Sequence, residues 1–266
     1  MKVKRLADLK RPSMLEIPLG RLPDRVTMTG YVFNKAWAVS ALVRELYGGS
    51  YEWYGLTVGE ENRPDVIMDI GLPRNAANLQ QYTSLDSQDL LAFQEELRTG
   101  LIINGWIHSH GDLHYHGFSP VDEANHRVVL DYVASRVRRP LVKREIRIDG
   151  LTVVAAANPS EEQLKEGTVT ILTDGPVGRA RILETVYGAF CFAVLVGDSG
   201  WILQHIITKT RGILTGTTVY ATMEAPLVVE APHRELTDGE REKLREEVRR
   251  KVRPPGADPP EHLERL

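Results

Sequence analysis

The stretch Leu101-Ile102-Ile103-Asn104-Gly105-Trp106-Ile107-His108-Ser109-His110, followed by Ser119-Pro120-Val121-Asp122, constrains this chain more than any other. The apolar run predicts a buried strand over Leu101–His108, and the Ser-Pro-x-Asp start predicts a helix over Ser119–Val137. Strand side chains alternate between faces, so His108 and His110 leave on the same side and can bind one ion together. Asp122 adds an oxygen donor from the first turn of the next element. Two imidazoles, one carboxylate and a position left open for water are the donor set of a catalytic zinc ion.

Each half has a plainer reading. A strand can end in an exposed His-x-His without any ion. Ser119 also suits an ordinary helix N-cap, with Pro120 at the first helical position and an acid three residues on. The two halves joined by one short glycine-containing loop favour the metal. Upstream, Tyr51–Val58 is aromatic and β-branched and predicts a strand whose only charge is Glu52. A carboxylate among aromatic side chains needs a partner or a proton. Beside a metal and its water, Glu52 would be a general base; at a frayed strand end it would simply face solvent.

These residues resemble a known family. Glu52 with Gly55-Leu56 and Gly59, then His108-Ser109-His110, Ser119 and Asp122, are similar to the JAMM (MPN+) metalloprotease signature. The resemblance covers roughly Gly30 to Thr210. It implies one zinc per chain on His108, His110 and Asp122, with Glu52 activating the water and Ser119 steadying the oxyanion. It implies hydrolysis of an amide or isopeptide bond at the glycine end of a ubiquitin-like protein or its conjugates. In relatives a segment placed like Asn75–Ser84 positions that tail by strand addition. Two other roles fit the family: maturing a sulfur-carrier protein, or serving as a scaffold subunit in a larger protein complex. The sequence departs from the signature at two points. The spacer Gly111–Phe118 is one residue longer, and Gly111 stands where many members carry proline.

The loop also holds His114 and His116, read as solvated, although a second ion or a substrate contact is conceivable there. His126 shares a helix face with Asp122 and could support it, but is expected at the surface. The chain has 266 residues, with 33 Lys and Arg against 36 Asp and Glu, a formal net charge of −3. That balance gives no electrostatic case for nucleic acid or an anionic membrane. Met1–Arg21 lacks an apolar core of signal-peptide length, and no segment suffices to span a bilayer. The single cysteine, Cys191, excludes a disulfide within the chain and suits the reducing cytoplasm.

The fold class expected is α/β (α+β): an MPN-type mixed sheet flanked by helices, with a charged C-terminal helix. Residues 1–29 read as an extension, 30–235 as the metalloprotease domain, 236–252 as the charged helix and 253–266 as a disordered tail. Within this, Leu15–Leu22 predicts a short strand, Tyr31–Leu46 a helix ended by Gly48-Gly49, and Asp65–Ile70 a strand. A helix is expected over Leu85–Arg98, a hairpin over Leu141–Ala157, and strands over Thr168–Thr173 and Tyr187–Thr208, the latter turning at Asp198-Ser199-Gly200. Val219–Val229 predicts a last pair. Thr237 to Glu240 spells a capping box, and Leu244, Val248 and Val252 form one thin apolar stripe.

Overall fold

Alternating buried side chains on both faces of the central strands organise this molecule. The computed structural model describes residues 15–73, 87–146, 160 and 182–252. Among them are four helices and eleven strands in mixed sheets, the α+β class expected. The strands are β1 (Glu16–Pro18), β2 (Val26–Thr29), β3 (Tyr54–Glu60), β4 (Val66–Ile67), β5 (Asp69–Gly71), β6 (Leu101–Ser109), β7 (Arg139–Ile146), β8 (Ile182–Gly197), β9 (Trp201–Gly212), β10 (Thr218–Glu224) and β11 (Leu227–Glu230). The helices are α1 (Gly30–Tyr47), α2 (Ser87–Glu96), α3 (Pro120–Arg136) and α4 (Asp238–Lys251). None of these helices is long and apolar enough to cross a membrane.

Contacts divide the chain into two units: Met1–Gly20, Pro140–Tyr187 and Arg211–Thr217 form one, and Arg21–Arg139, Gly188–Thr210 and Thr218–Leu266 form the other. In the first, β1 pairs antiparallel with β7. Its fully buried carboxylate, Glu184, is ion-paired with Arg144 at 2.7 Å and accepts from the Thr215 hydroxyl and backbone N–H, both at 3.0 Å. A buried charge needs this density of partners.

The larger unit carries the predicted site. Here β6 lies between β3, antiparallel, and β8, parallel, while β5 extends the sheet beyond β3. Along β8, Phe190, Phe192, Val194 and Val196 enter one core while Cys191 and Ala193 enter the other. Such two-sided burial makes the strand read as one continuous apolar run. The first core packs the sheet against α1 and α4; the second packs it against α2 and α3. Gly105 lets β6 approach β8, since a Cβ there would meet the Phe192 carbonyl oxygen at 2.2 Å.

A bulge sets the phase of β6. Thr57 stands opposite Gly105 but Val58 opposite Ile103, leaving Asn104 unpaired in the ladder. Its side chain fixes the irregularity: Nδ2 donates to the Pro64 and Val66 carbonyls at 3.0 Å each, and Oδ1 accepts from the Thr57 hydroxyl at 2.8 Å. Alternation restarts after it, so Ile103 and Trp106 share the α3-facing core and Ile107 turns to the α1 side.

α1 starts at the N-cap Thr29 and stops at Gly48, whose φ of 72° is the left-handed conformation that favours glycine. The stripe Leu244, Val248 and Val252 is buried in the α1-side core, each side chain contributing about 1.5–3 kcal/mol by its burial. Thus α4 is built into the unit despite its charge.

Several boundaries differ from expectation. The strand predicted over Tyr51–Val58 is regular only from Tyr54, and Asp65–Ile70 is split into β4 and β5. β10 and β11 do not pair with each other: β10 pairs with β9, and β11 runs parallel to β2. That parallel register draws Val26 and Met28 into the core, although residues before Gly30 read as an extension. The expected Asn75–Ser84 segment, the Asp149-Gly150 turn, the Thr168–Thr173 strand and the tail over 253–266 lie outside the described residues.

Candidate metal centre

His108 is the penultimate residue of β6, and His110 follows where the strand ends. The ladder still holds there, because the Ser109 N–H donates to the Trp53 carbonyl at 2.8 Å and the His110 N–H to the Val196 carbonyl at 3.0 Å. Asp122 arrives from the first turn of α3. The structure shows the capping box expected at that turn: the Ser119 Oγ accepts from the Asp122 N–H at 3.2 Å, and the Ser119 N–H donates to Asp122 Oδ2 at 2.7 Å. The plain helix-start reading of Ser119 is therefore correct, and the same bonds aim the Asp122 carboxylate.

His108, His110 and Asp122 are 5%, 6% and 9% exposed, and their donor atoms lie within 4.8 Å of one another. The Nε2 atoms of the two histidines are 3.3 Å apart; Asp122 Oδ1 lies 3.3 Å from His108 Nε2, and Oδ2 lies 3.8 Å from His110 Nε2. Two nitrogens held at about 2.05 Å by a tetrahedral ion stand about 3.3 Å apart, so the histidine pair fits such an ion. This buried group could bind a metal ion.

Its surroundings favour that use. His110 Nδ1 lies 2.9 Å from the Tyr115 carbonyl oxygen, which can only accept. Nδ1 therefore carries a proton, and Nε2 faces the shared space, where the neutral ring can lend its lone pair to an ion. Burial by itself would raise the Asp122 carboxyl, but the imidazoles of His108 and His110 beside it, and then the Ser119 backbone N–H, hold it far below the usual carboxylate range. Burial would likewise lower His110, yet the Asp122 carboxylate and the Tyr115 carbonyl leave it raised.

Glu52 sits just before β3. Tyr54 pairs with His108, so the antiparallel register continued by two residues brings Glu52 opposite His110. It is half-buried, and burial raises its carboxyl; His110 and His108 pull it back down, while Asp122 pushes it up. This is a carboxylate next to the cluster, not one at a solvated strand end.

Gly111, the departure from the resembled signature, has φ of +56°. Proline cannot adopt that conformation. The Gly111 N–H also donates to the Ser109 hydroxyl at 2.9 Å, a bond proline would lack. The loop is tied down beyond it: the Asp198 N–H donates to the Gly111 carbonyl at 2.7 Å, and the Asp198 carboxylate accepts from Ser50 and pairs with Arg44.

His114 and His116 are exposed and join no metal-ligand cluster among the described residues, in line with the solvated reading. His116 instead lies over Trp201, ring centroids 4.2 Å apart. His126 is a correction: it is 2% exposed, packed on Trp106 and Phe118. Burial, and then the charge of His108, lower it to about 3, so the ring is neutral. Sequence reading also missed Tyr115 and Trp201, whose rings lie 5.8 and 6.4 Å from that of His110. The aromatic residue following a predicted hairpin turn was the available signal for Trp201. Comparison of the chain with protein-family models and with curated proteins gives no match.

Proposed function

We propose that this chain is a zinc-dependent hydrolase of amide or isopeptide bonds, of the JAMM type its motif resembles. The observation that supports it most is the convergence of three buried donor atoms within 4.8 Å, next to a carboxyl raised by burial. His108, His110 and Asp122 would hold the ion. Zinc bound there would polarise the scissile carbonyl and bring the pKa of a coordinated water toward ~7.

The chain's own groups then divide the work. Glu52 takes the water's proton and delivers it to the leaving amine, so it ends the cycle as it began. Ser119 accepts the Asp122 N–H and keeps its own O–H to donate to the oxygen that gains charge. His110 is held in the ligating tautomer by the Tyr115 carbonyl.

The substrate we propose is a ubiquitin-like protein joined through its glycine end to an amine. The exposed Leu113, Tyr115 and Val121 near the ligands offer apolar surface for a folded partner. The cytoplasm, proposed from the lone Cys191, is where such conjugates would be met. The chemistry is tested by Glu52→Gln in metal-loaded protein. Turnover should fall by two or more orders of magnitude with the metal retained. Near-normal turnover would assign the base elsewhere. Comparing a modifier–lysine conjugate with the free peptide of its tail tests the substrate: equal rates on both would indicate a general peptidase.

A further inference from the structure

Three buried side-chain nitrogens without a hydrogen-bond partner belong to three neighbouring rings: Nδ1 of the ligand His108, Trp106 Nε1 and His126 Nε2. Their rings form a triangle, with centroids 5.4 Å apart for Trp106–His108, 5.5 Å for Trp106–His126 and 6.5 Å for His108–His126. Phe118 closes over it, 4.7 Å from His126 and 5.8 Å from His108. Leaving one buried polar group unpaired costs about 1–3 kcal/mol, and three such groups on adjoining rings point to a shared partner.

The donor and acceptor inventory identifies it. His108 turns Nε2 toward His110 and Asp122, so when that atom lends its lone pair the proton must sit on Nδ1. Trp106 Nε1–H can only donate. Of the three, only His126 Nε2 can accept, in the tautomer that carries its proton on Nδ1. One water accepts from two donors and donates to one acceptor, making the three hydrogen bonds usual for a buried water. We propose that His126 is a positioning residue for the metal ligand His108, acting through one internal water shared with Trp106.

This rests on the metal role proposed for His108. A ligating imidazole whose other N–H is held in this way is fixed in ring orientation and is the more basic for it. His126 itself touches neither metal nor substrate. It supplies, from one turn along α3, for His108 what the Tyr115 carbonyl supplies for His110.

Cobalt and zinc affinities, measured by competition with a chromophoric chelator, test the assignment without any substrate. Removing such a support commonly costs 10–100-fold in affinity, the loss expected for His126→Phe. His126→Gln restores an accepting oxygen and should recover most of that affinity. In metal-loaded wild-type protein with 15N-labelled histidine, His108 Nδ1 should carry a proton protected from exchange with solvent. His126→Phe that folds, by circular dichroism, and binds cobalt as the wild type does would overturn the proposal. If that variant fails to fold, an unprotected His108 Nδ1 in the wild type overturns it equally. A wild type that takes up neither metal would instead remove the metal reading beneath it.

Discussion

Two helices of the larger unit, α3 and α4, begin with the same four-residue device and put it to different uses. Ser119 and Asp122 form a capping box at the start of α3, and Thr237 and Glu240 form one at the start of α4. The hydroxyl accepts the third residue's N–H in both, at 3.2 and 3.3 Å, and the carboxylate accepts the cap's N–H, at 2.7 and 2.8 Å. The difference lies across from the box. Asp122 is buried and faces two histidines; Glu240 is half-buried and faces Arg234. A local motif starts a helix in either case, and only what the fold brings opposite turns one carboxylate into a candidate metal ligand.

The largest expected effect breaks this pair apart. Asp122→Ala should lower metal affinity by about two orders of magnitude or more, since it removes a donor outright. Glu240→Ala should leave metal affinity unchanged. Calorimetric zinc titration of both variants measures the contrast, and equal loss in the two would mean that general destabilisation is being read. Acid should release the ion at the histidine end. His110 is protonated more readily than an ordinary imidazole, whereas Asp122 stays ionised far below that range.

A second pair sharpens the comparison at the hydroxyls. Ser119→Ala and Thr237→Ala should each cost about 1 kcal/mol of stability, the usual worth of an N-cap, read from denaturant midpoints. Only Ser119→Ala should also slow hydrolysis, by about 10²–10³-fold in kcat with a smaller change in KM, because it removes an oxyanion donor. Matched stability losses with unchanged turnover would reduce Ser119 to a helix cap.

The same contrast explains what was legible in the sequence. Both boxes and the His-x-His strand were readable because their residues are neighbours in the chain. The bulge at Asn104 was not, because it depends on carbonyls of Pro64 and Val66, some 40 residues away in sequence. Nor does the unbroken apolar run Leu101-Ile102-Ile103 reveal a change of phase in a strand buried on both faces. His126 was misplaced for a related reason. On α3 the polar Asp122, Asn125 and His126 line the buried face, so polarity there marks the site and not the surface. The stripe on α4 was readable as apolar, but its partner α1 was not, since about 200 residues separate Tyr47 from the Val252 carbonyl it bonds at 2.7 Å.

The smallest effect isolates the α4 box by pH. The Glu240 carboxyl is lowered from 4.5 to about 2, chiefly by the Thr237 backbone N–H, then by Arg234 and the Thr237 hydroxyl. A carboxyl depressed on folding lends stability that is fully present above its unfolded value and is lost as pH falls through its folded one. The stability difference between wild type and Glu240→Gln should therefore be constant above pH about 4.5 and shrink toward zero near pH 2. The carboxylate is partly open to solvent and shares its charge with it, so the difference is small and should narrow further in high salt. Thermal melts of the two proteins across that range measure it. A difference that stays constant through pH 2 would assign the loss to amide packing and not to the charge on the cap.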